Sequence, residues 1–169
     1  MSIRIGQANK DHFPALRAIE LASFETLRSA GAVTGEAAAS GDEELQQYLS
    51  DGLLFAAFDE RGFPVGCGGA YVAENSLHIG EVDVHPAWQK KGIGRKIVKA
   101  LLEEGRARKL VGSTLTTDRF APFNAPFYSS IGFKMVEGDE CPERLRLILA
   151  AEQAKGLDPQ RRIAMRLIF

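Results

Sequence analysis

Val82-Asp83-Val84-His85-Pro86-Ala87-Trp88-Gln89-Lys90-Lys91-Gly92-Ile93-Gly94-Arg95-Lys96-Ile97-Val98 is the stretch on which the reading of this chain turns. It begins as a strand that ends at Val84, because Pro86 has no backbone N–H to give to a ladder. Further on, Ile93, Ile97, Val98, Leu101 and Leu102 fall on one stripe. Lys96, Lys99, Glu103 and Arg106 fall mostly outside it, which is the spacing of an amphipathic helix over 92–108. Between the two lies Gln89-Lys90-Lys91-Gly92-Ile93-Gly94. A loop that opens a helix presents backbone N–H groups at the positive end of the helix dipole. Two glycines let an anion approach the backbone closely. Lys90, Lys91, Arg95 and Lys96 surround the loop with positive charge. A pyrophosphate fits such a site.

Upstream, Ile3 and Ile5 alternate with polar residues as a short strand. Asp11 is the expected cap of a helix that tolerates Pro14 in its first turn, carries Phe13, Leu16, Phe24 and Leu27, and runs to about Ser29. Gly31 to Gly41 reads as a loop. Ser40 with Glu43 forms a capping-box pair for a second helix bearing Leu45, Tyr48 and Leu49 and ending at Gly52. Leu53 to Phe58, Pro64 to Tyr71 and Leu77 to Val84 then read as three strands in a meander, separated by turns at Asp59-Glu60-Arg61-Gly62 and Asn75.

Downstream of the amphipathic helix, Val111 to Thr117 is a strand, expected to run parallel to the one before that helix. Phe123 to Ile131 is a short helix closed by Gly132, and Phe133 to Val136 is a strand. Pro142 to Lys155 is a helix with Leu145, Ile148, Leu149 and Glu152 at turn spacing, and Ile163 to Phe169 is the last strand. The order β-α-α-β-β-β-α-β-α-β-α-β predicts an α/β fold with a mixed sheet. The crossover near its middle leaves a ligand crevice at the strand C-termini.

Composition agrees with one domain over 1–169. The chain has 169 residues, 45% of them hydrophobic and 25% charged, enough for a packed core. Twenty-one Lys and Arg against 22 Asp and Glu give a net charge of −1, without the basic excess of a nucleic-acid binder. Cys67 and Cys141 are too few for a disulfide scaffold and lack metal-ligand spacing. No apolar run approaches the ~20 residues of a membrane span, and the first residues hold no apolar signal core. A reducing cytoplasm is the expected location, with neither nucleic acid nor membrane as a partner.

The loop is neither a P-loop, which needs Gly-x-x-x-x-Gly-Lys-Ser/Thr, nor a dinucleotide loop, since Ile97 stands where the third glycine belongs. Gln89-x-x-Gly92-x-Gly94, set between a Val-x-Pro strand end and a helix, resembles the coenzyme A pyrophosphate loop of the GNAT superfamily of N-acetyltransferases. Asn124-Ala125-Pro126-Phe127-Tyr128-Ser129-Ser130-Ile131-Gly132-Phe133 resembles a second segment of that superfamily, in the expected order and at the expected separation. The resemblance runs from Ile3 to Phe169, although its specific motifs cover only 82–94 and 124–133.

The resemblance implies a mostly antiparallel mixed sheet flanked by helices on both faces, acetyl-CoA as co-substrate, and no metal. It implies coenzyme contacts from Val82, Asp83, Val84, Gln89, Lys90, Lys91, Gly92, Ile93, Gly94, Arg95, Lys96, Asn124, Phe127 and Tyr128. The acetyl group would pass directly to an amine. The fourth and fifth strands would splay after a bulge, a backbone N–H matching Val84 would take the developing oxyanion, and Tyr128 would protonate the departing thiolate. Glu81 is the first candidate for the base, with His78, Asp83 and a water chain as competitors. Strand alternation puts Glu81 and Asp83 on one face, away from Val82 and Val84, unless a bulge shifts the register.

Acceptor specificity in relatives lies in the segments that match 24–48 and 137–160. The helix expected within Cys141–Gly156 narrows the acceptor cleft, which points to a small-molecule amine. Thr116, Thr117, Asp118 and Arg119 stand at a strand end within reach of an acceptor, and Glu36, Asp42, Glu43 and Glu44 form a mildly acidic entrance favouring a cation. A peptide acceptor, a non-catalytic acyl-CoA sensor, an unrelated nucleotide-binding module and a homodimer stay open at this level.

Overall fold

The structure, a computed structural model, describes residues 2–34 and 41–169. Its seven strands are β1 (Arg4–Gln7), β2 (Leu54–Phe58), β3 (Pro64–Ala73), β4 (Ser76–Val84), β5 (Gly112–Asp118), β6 (Lys134–Val136) and β7 (Arg162–Ile168). The helices are α1 (Phe13–Ser29), α2 (Asp42–Ser50), α3 (Ile93–Ala107), α4 (Ala125–Ile131) and α5 (Glu143–Ala154). The strands form one sheet in the order β1-β2-β3-β4-β5-β7-β6. Among the described residues only β4 and β5 pair in parallel, because α3 crosses over between them. The expected mixed, mostly antiparallel sheet is present.

Side-chain alternation along β7 shows how the layers divide. Ile163 and Met165 join the core under α3 and α4. Ala164, between them, joins the cluster under α5 with Val136, Cys141 and Leu145. A third cluster packs Leu16 and Ile19 of α1 and Leu45 and Tyr48 of α2 against β2 and β3. Helices therefore cover both faces, each burying an apolar stripe whose removal from water holds the layers together.

Two capping expectations change. Asn9, not Asp11, is the cap: its side chain accepts from Asp11 N–H and opens a 3₁₀ turn that runs into α1. Asparagine reaches its own backbone two residues on, and Asp11 lies within the 3₁₀ turn that Asn9 opens, its N–H being the group that is capped. The N-cap of α2 is Gly41, which has no capping side chain. Ser40, offered for that role, lies outside the described residues, as does Glu36.

The register of β4 positions everything that follows. Gly69 faces Glu81 and Ala70 faces Ile79, so Gly80 is an extra residue bulged out of the ladder. The bulge places Glu81 and Asp83 on the same side of the sheet as His78, although simple alternation from His78 would put them opposite. From there β4 also leaves β5. The two strands pair only over Ser76–His78 with Gly112–Thr114, and beyond that they diverge.

Candidate functional site

The divergence leaves backbone groups aimed into a gap. His85 N–H donates to Val65 O at 2.9 Å, so the antiparallel alternation turns the N–H groups of Asp83 and His85 toward β3. The N–H and C=O of Val82 and Val84 then point the other way, into the gap beside β5. Gln89 crosses its mouth and donates from Nε2 to Val84 O at 3.0 Å, pinning the glycine loop to the strand end. Gly92 caps α3 in the left-handed region at φ 77°, a backbone state that a side chain strains.

A cleft of about 690 Å³ extends from this gap over the N-terminus of α3 to α4. Val82, Asp83, Val84, Gln89, Lys90, Gly92, Ile93, Gly94, Arg95, Asn124, Phe127 and Tyr128 line it, so most of the expected coenzyme residues come together. Lys91 and Lys96 do not; Lys91 stands over the Trp88 ring. Arg95 donates to Ser130 Oγ at 2.6 Å and lies against Phe127, which ties α3 to α4 across the cleft. A cleft with a positive helix terminus at one end and unmade strand hydrogen bonds at the other suits an anionic, amide-bearing ligand.

A second cavity, of about 200 Å³, lies further back along β4, beside Ile79 to Asp83 and β5. Leu27, Val82, Asp83, Asn124 and Tyr128 line both spaces, so the two meet at these side chains. Tyr128 is buried, packed edge-on between Phe127 and Phe133. Burial, with the Asp83 charge nearby, raises its phenol pKa and keeps the proton on. Asn124 donates to Thr117 Oγ1 at 2.9 Å, leaving its own Oδ1 buried without a partner.

The second cavity is acidic. Glu20 from α1 and Glu81 and Asp83 from β4 each bring a carboxylate oxygen to within 4.8 Å of the others. This all-oxygen donor set suits an ammonium or a hard cation. Ser23 Oγ donates to Asp83 Oδ1 at 2.9 Å. Burial raises the Asp83 carboxyl pKa, while the neighbouring Glu81 carboxyl, close enough to share a proton with it, and Ser23 oppose the rise. Two carboxyls this close do not both ionise freely.

Tyr48 of α2 holds the floor. Its ring fills the notch above Gly69 and Gly80, on the bulge itself, where any side chain would collide with it. Burial and the nearby Glu81 charge raise the pKa of this phenol too.

Several candidates sit elsewhere. His78 is buried among other partners: Arg144 donates to its Nδ1 at 3.2 Å and to Thr114 Oγ1 at 2.9 Å. Burial, with the Arg144 charge, drives its pKa down to about 4, and it lines neither cavity. A neutral imidazole spent on holding α5 is not placed to take the amine proton. Thr116 and Thr117 do line the second cavity. Asp118 does not: it is fully buried, accepts from the N–H groups of Phe120 and Ala121, and pairs with Arg161 at 2.8 Å. Arg119 pairs with Glu137 at 2.6 Å. The acidic entrance is replaced from within, since Asp42 pairs with Arg17 and none of residues 42–44 line the cavity. Its acidity comes from Glu20, Glu81 and Asp83.

The family model for the acetyltransferase (GNAT) domain matches residues 25–148, most of the chain and both motif segments. The chain belongs to the GNAT acetyltransferase family. As a GNAT acetyltransferase it is an acyl-CoA-dependent N-acyltransferase, with acetyl-CoA as its co-substrate. N-acetylglutamate synthase from Neisseria gonorrhoeae, solved with coenzyme A and N-acetyl-glutamate, matches with a TM-score of 0.72 and 16% identity, over 99% of this chain and 35% of that one. PaiA N-acetyltransferase from Thermoplasma acidophilum, solved with coenzyme A, matches at 0.70 and 16%, over 100% of each chain. The ribosomal-protein-S18-alanine N-acetyltransferase from Escherichia coli matches at 0.65 and 19%, over 99% of this chain and 94% of that one. This GNAT chain thus spans about a third of the synthase and nearly all of the other two. At these identities the likeness is one of fold, and the named acceptors differ from one another. Among the described residues no helix is long and apolar enough to cross a membrane.

Proposed function

We propose that this GNAT acetyltransferase moves the acetyl group of acetyl-CoA directly to the primary amine of a small cationic molecule. Acetyl-CoA, when bound, supplies an activated thioester. The chain supplies the rest: the α3 N-terminus holds the pyrophosphate, and the N–H groups of Val82 and Val84 face the gap in which charge develops on the carbonyl oxygen. Glu81, with Asp83 sharing its proton, draws the acceptor's ammonium in and takes its proton so that the nitrogen lone pair is free. Tyr128, held protonated, gives its proton to the sulfur as the C–S bond breaks. The observation that carries this reading is that Asp83 and Tyr128, a proton acceptor and a proton donor, both stand in the walls shared by the coenzyme cleft and the acidic cavity.

The test is a titration with acetyl-CoA, followed by thiol release across a panel of amines. At a hundred times its dissociation constant the ligand stabilises by about 2.7 kcal/mol, or roughly 5–10 °C in Tm for a domain of this size. Gly94→Asp abolishes that protection. A Cβ at Gly94 meets Phe127 and Val84 only at ordinary contact distances of 3.6 and 3.8 Å, so the substitution acts through charge at the coenzyme site. Protection without thiol release for any amine would leave a coenzyme-binding sensor. Unchanged affinity in Gly94→Asp would sink the pyrophosphate assignment.

A further inference from the structure

Arg162, the first residue of β7, brings a guanidinium to the wall of a cavity whose other charged lining residues are three carboxylates, Glu20, Glu81 and Asp83. Its charge is already answered from behind. Glu152 of α5 grips it with both oxygens, Nε to Oε1 at 3.0 Å and Nη2 to Oε2 at 3.3 Å. Thr116, also in the wall, donates to Glu152 Oε2 at 2.6 Å. The Arg162 and Glu152 side chains are 16% and 18% exposed, so the pair is only weakly screened by solvent. A two-pronged arginine–carboxylate pair of this kind fixes the plane of the guanidinium as well as cancelling its charge.

Resting on the acetyl-transfer reading above, we infer that Glu152 sets the sign of charge that the acceptor cavity accepts. By holding Arg162 neutralised in the wall, it leaves Glu20, Glu81 and Asp83 to select an acceptor with a second positive charge beyond the reacting amine, a diamine-like molecule. It denies Arg162 to the carboxylate of an amino acid. The reacting nitrogen sheds its own charge before attack, so carboxylates that only met that nitrogen would lose their attraction as the reaction advanced. A second ammonium keeps its charge throughout and keeps binding through the transition state. Glu152 is a specificity residue that acts through Arg162, and the helix that carries it is the segment inserted between β6 and β7.

The experiment compares 1,4-diaminobutane with 4-aminobutanoate, matched in length and opposite in charge at the far end. It uses the wild type, Glu152→Gln, and the double variant Glu152→Gln/Arg162→Gln. The readout is the ratio of kcat/KM values, or of dissociation constants with coenzyme A bound where a compound is not turned over. Wild type prefers the diamine. Glu152→Gln lowers that preference by roughly two orders of magnitude, because one unit charge released across roughly 10 Å at an effective dielectric of about 20 changes the binding of each compound about ten-fold, in opposite directions. The double variant restores the preference, because the released cation is gone; damage to the position of α5 would not be restored this way. An equal preference in wild type and Glu152→Gln, a loss that persists in the double variant, or failure of both compounds to bind the wild type overturns the inference. Heat protection by acetyl-CoA, measured in the same samples, shows separately whether the acetyl-transfer reading stands.

Discussion

Replacing Gly80 by alanine is a small change with a large expected effect, and the notch above the bulge shows how large. A Cβ at Gly80 overlaps Tyr48 Oη outright and lies 3.0 Å from Cζ and 3.2 Å from Cε1. A Cβ at Gly69 instead overlaps Cδ2 and lies 2.5 Å from Cε2 and 2.7 Å from Cγ. Both substitutions overpack a buried ring, which costs about 1–3 kcal/mol, more if the ring is expelled. That corresponds to a fall in Tm of roughly 3–10 °C for a chain of this length. The two glycines part company when Tyr48→Phe is added. Removing the hydroxyl leaves the Gly80→Ala methyl with 3.0 Å as its tightest contact, which a shift of a few tenths of an ångström relieves. It does nothing for Gly69→Ala, whose methyl collides with the ring. Tyr48→Phe therefore recovers most of the Tm lost in Gly80→Ala and almost none of that lost in Gly69→Ala, read by thermal denaturation of the four variants with Tyr48→Phe alone as the baseline. Equal rescue of both, or a Gly80→Ala protein as stable as wild type, would refute this account of the bulge. Activity should follow, since the same bulge turns Glu81 and Asp83 into the cavity.

Tyr128→Phe keeps the ring packing and removes only the donor, so turnover falls about 100-fold with little change in acetyl-CoA affinity; near-normal turnover would make Tyr128 a packing residue. Glu81→Gln lowers the rate at neutral pH and recovers part of it as pH rises and free amine becomes available. A profile parallel to wild type in Glu81→Gln, with Asp83→Asn altered, would move the base to Asp83. Asp83 also leaves a signature in stability. Its folded pKa is raised by burial, so the stability tied to its protonated form is complete at acid pH and is lost as pH rises through that raised value. Asp83→Asn, neutral throughout, should gain stability relative to wild type as pH increases, and a difference in Tm that falls or stays flat would contradict the buried-carboxyl assignment.

The glycine loop proposed to hold the coenzyme was legible as a strand end and helix start because its signals are local: glycines, a helix start and a strand-stopping proline lie within 82–98. The helices and strands were legible for the same reason, each carrying its own period. The acidic cavity was not, because it is assembled across elements. Glu20 lies on the inward stripe of α1, with Leu16, Ser23 and Leu27 at spacings of four, three and four. An acidic residue interrupting an apolar stripe was the signal, and it is faint beside the loop. Arg162 reads as an ordinary strand start until β7 is seen beside β5. The extra residue at Gly80 follows from pairing with β3 and from the Tyr48 ring, neither of which shows in the periodicity of β4. His78 could not be separated from Glu81 by sequence, since only tertiary packing decides which of two neighbouring titratable side chains meets an arginine and which meets a cavity. Asp118 looked available for the opposite reason, as its partner Arg161 is distant along the chain.

β7 lies between β5 and β6 and hydrogen-bonds to both, yet both come before it in the chain. Until it arrives, β5 has an open edge beyond the short pairing with β4, and β6 has no partner at all. The half of the sheet under α4 and α5 is therefore the late-closing half during synthesis, held back by long-range pairings. The meander β2-β3-β4, built from neighbours, can zip first. The acidic cavity proposed for the acceptor takes Glu20 from the early part of the chain and Arg162 from the strand that closes the sheet, so it comes into being only with that last insertion. Truncating β7 should leave a chain that still forms its meander but exposes the edge of β5, a template for pairing with another copy.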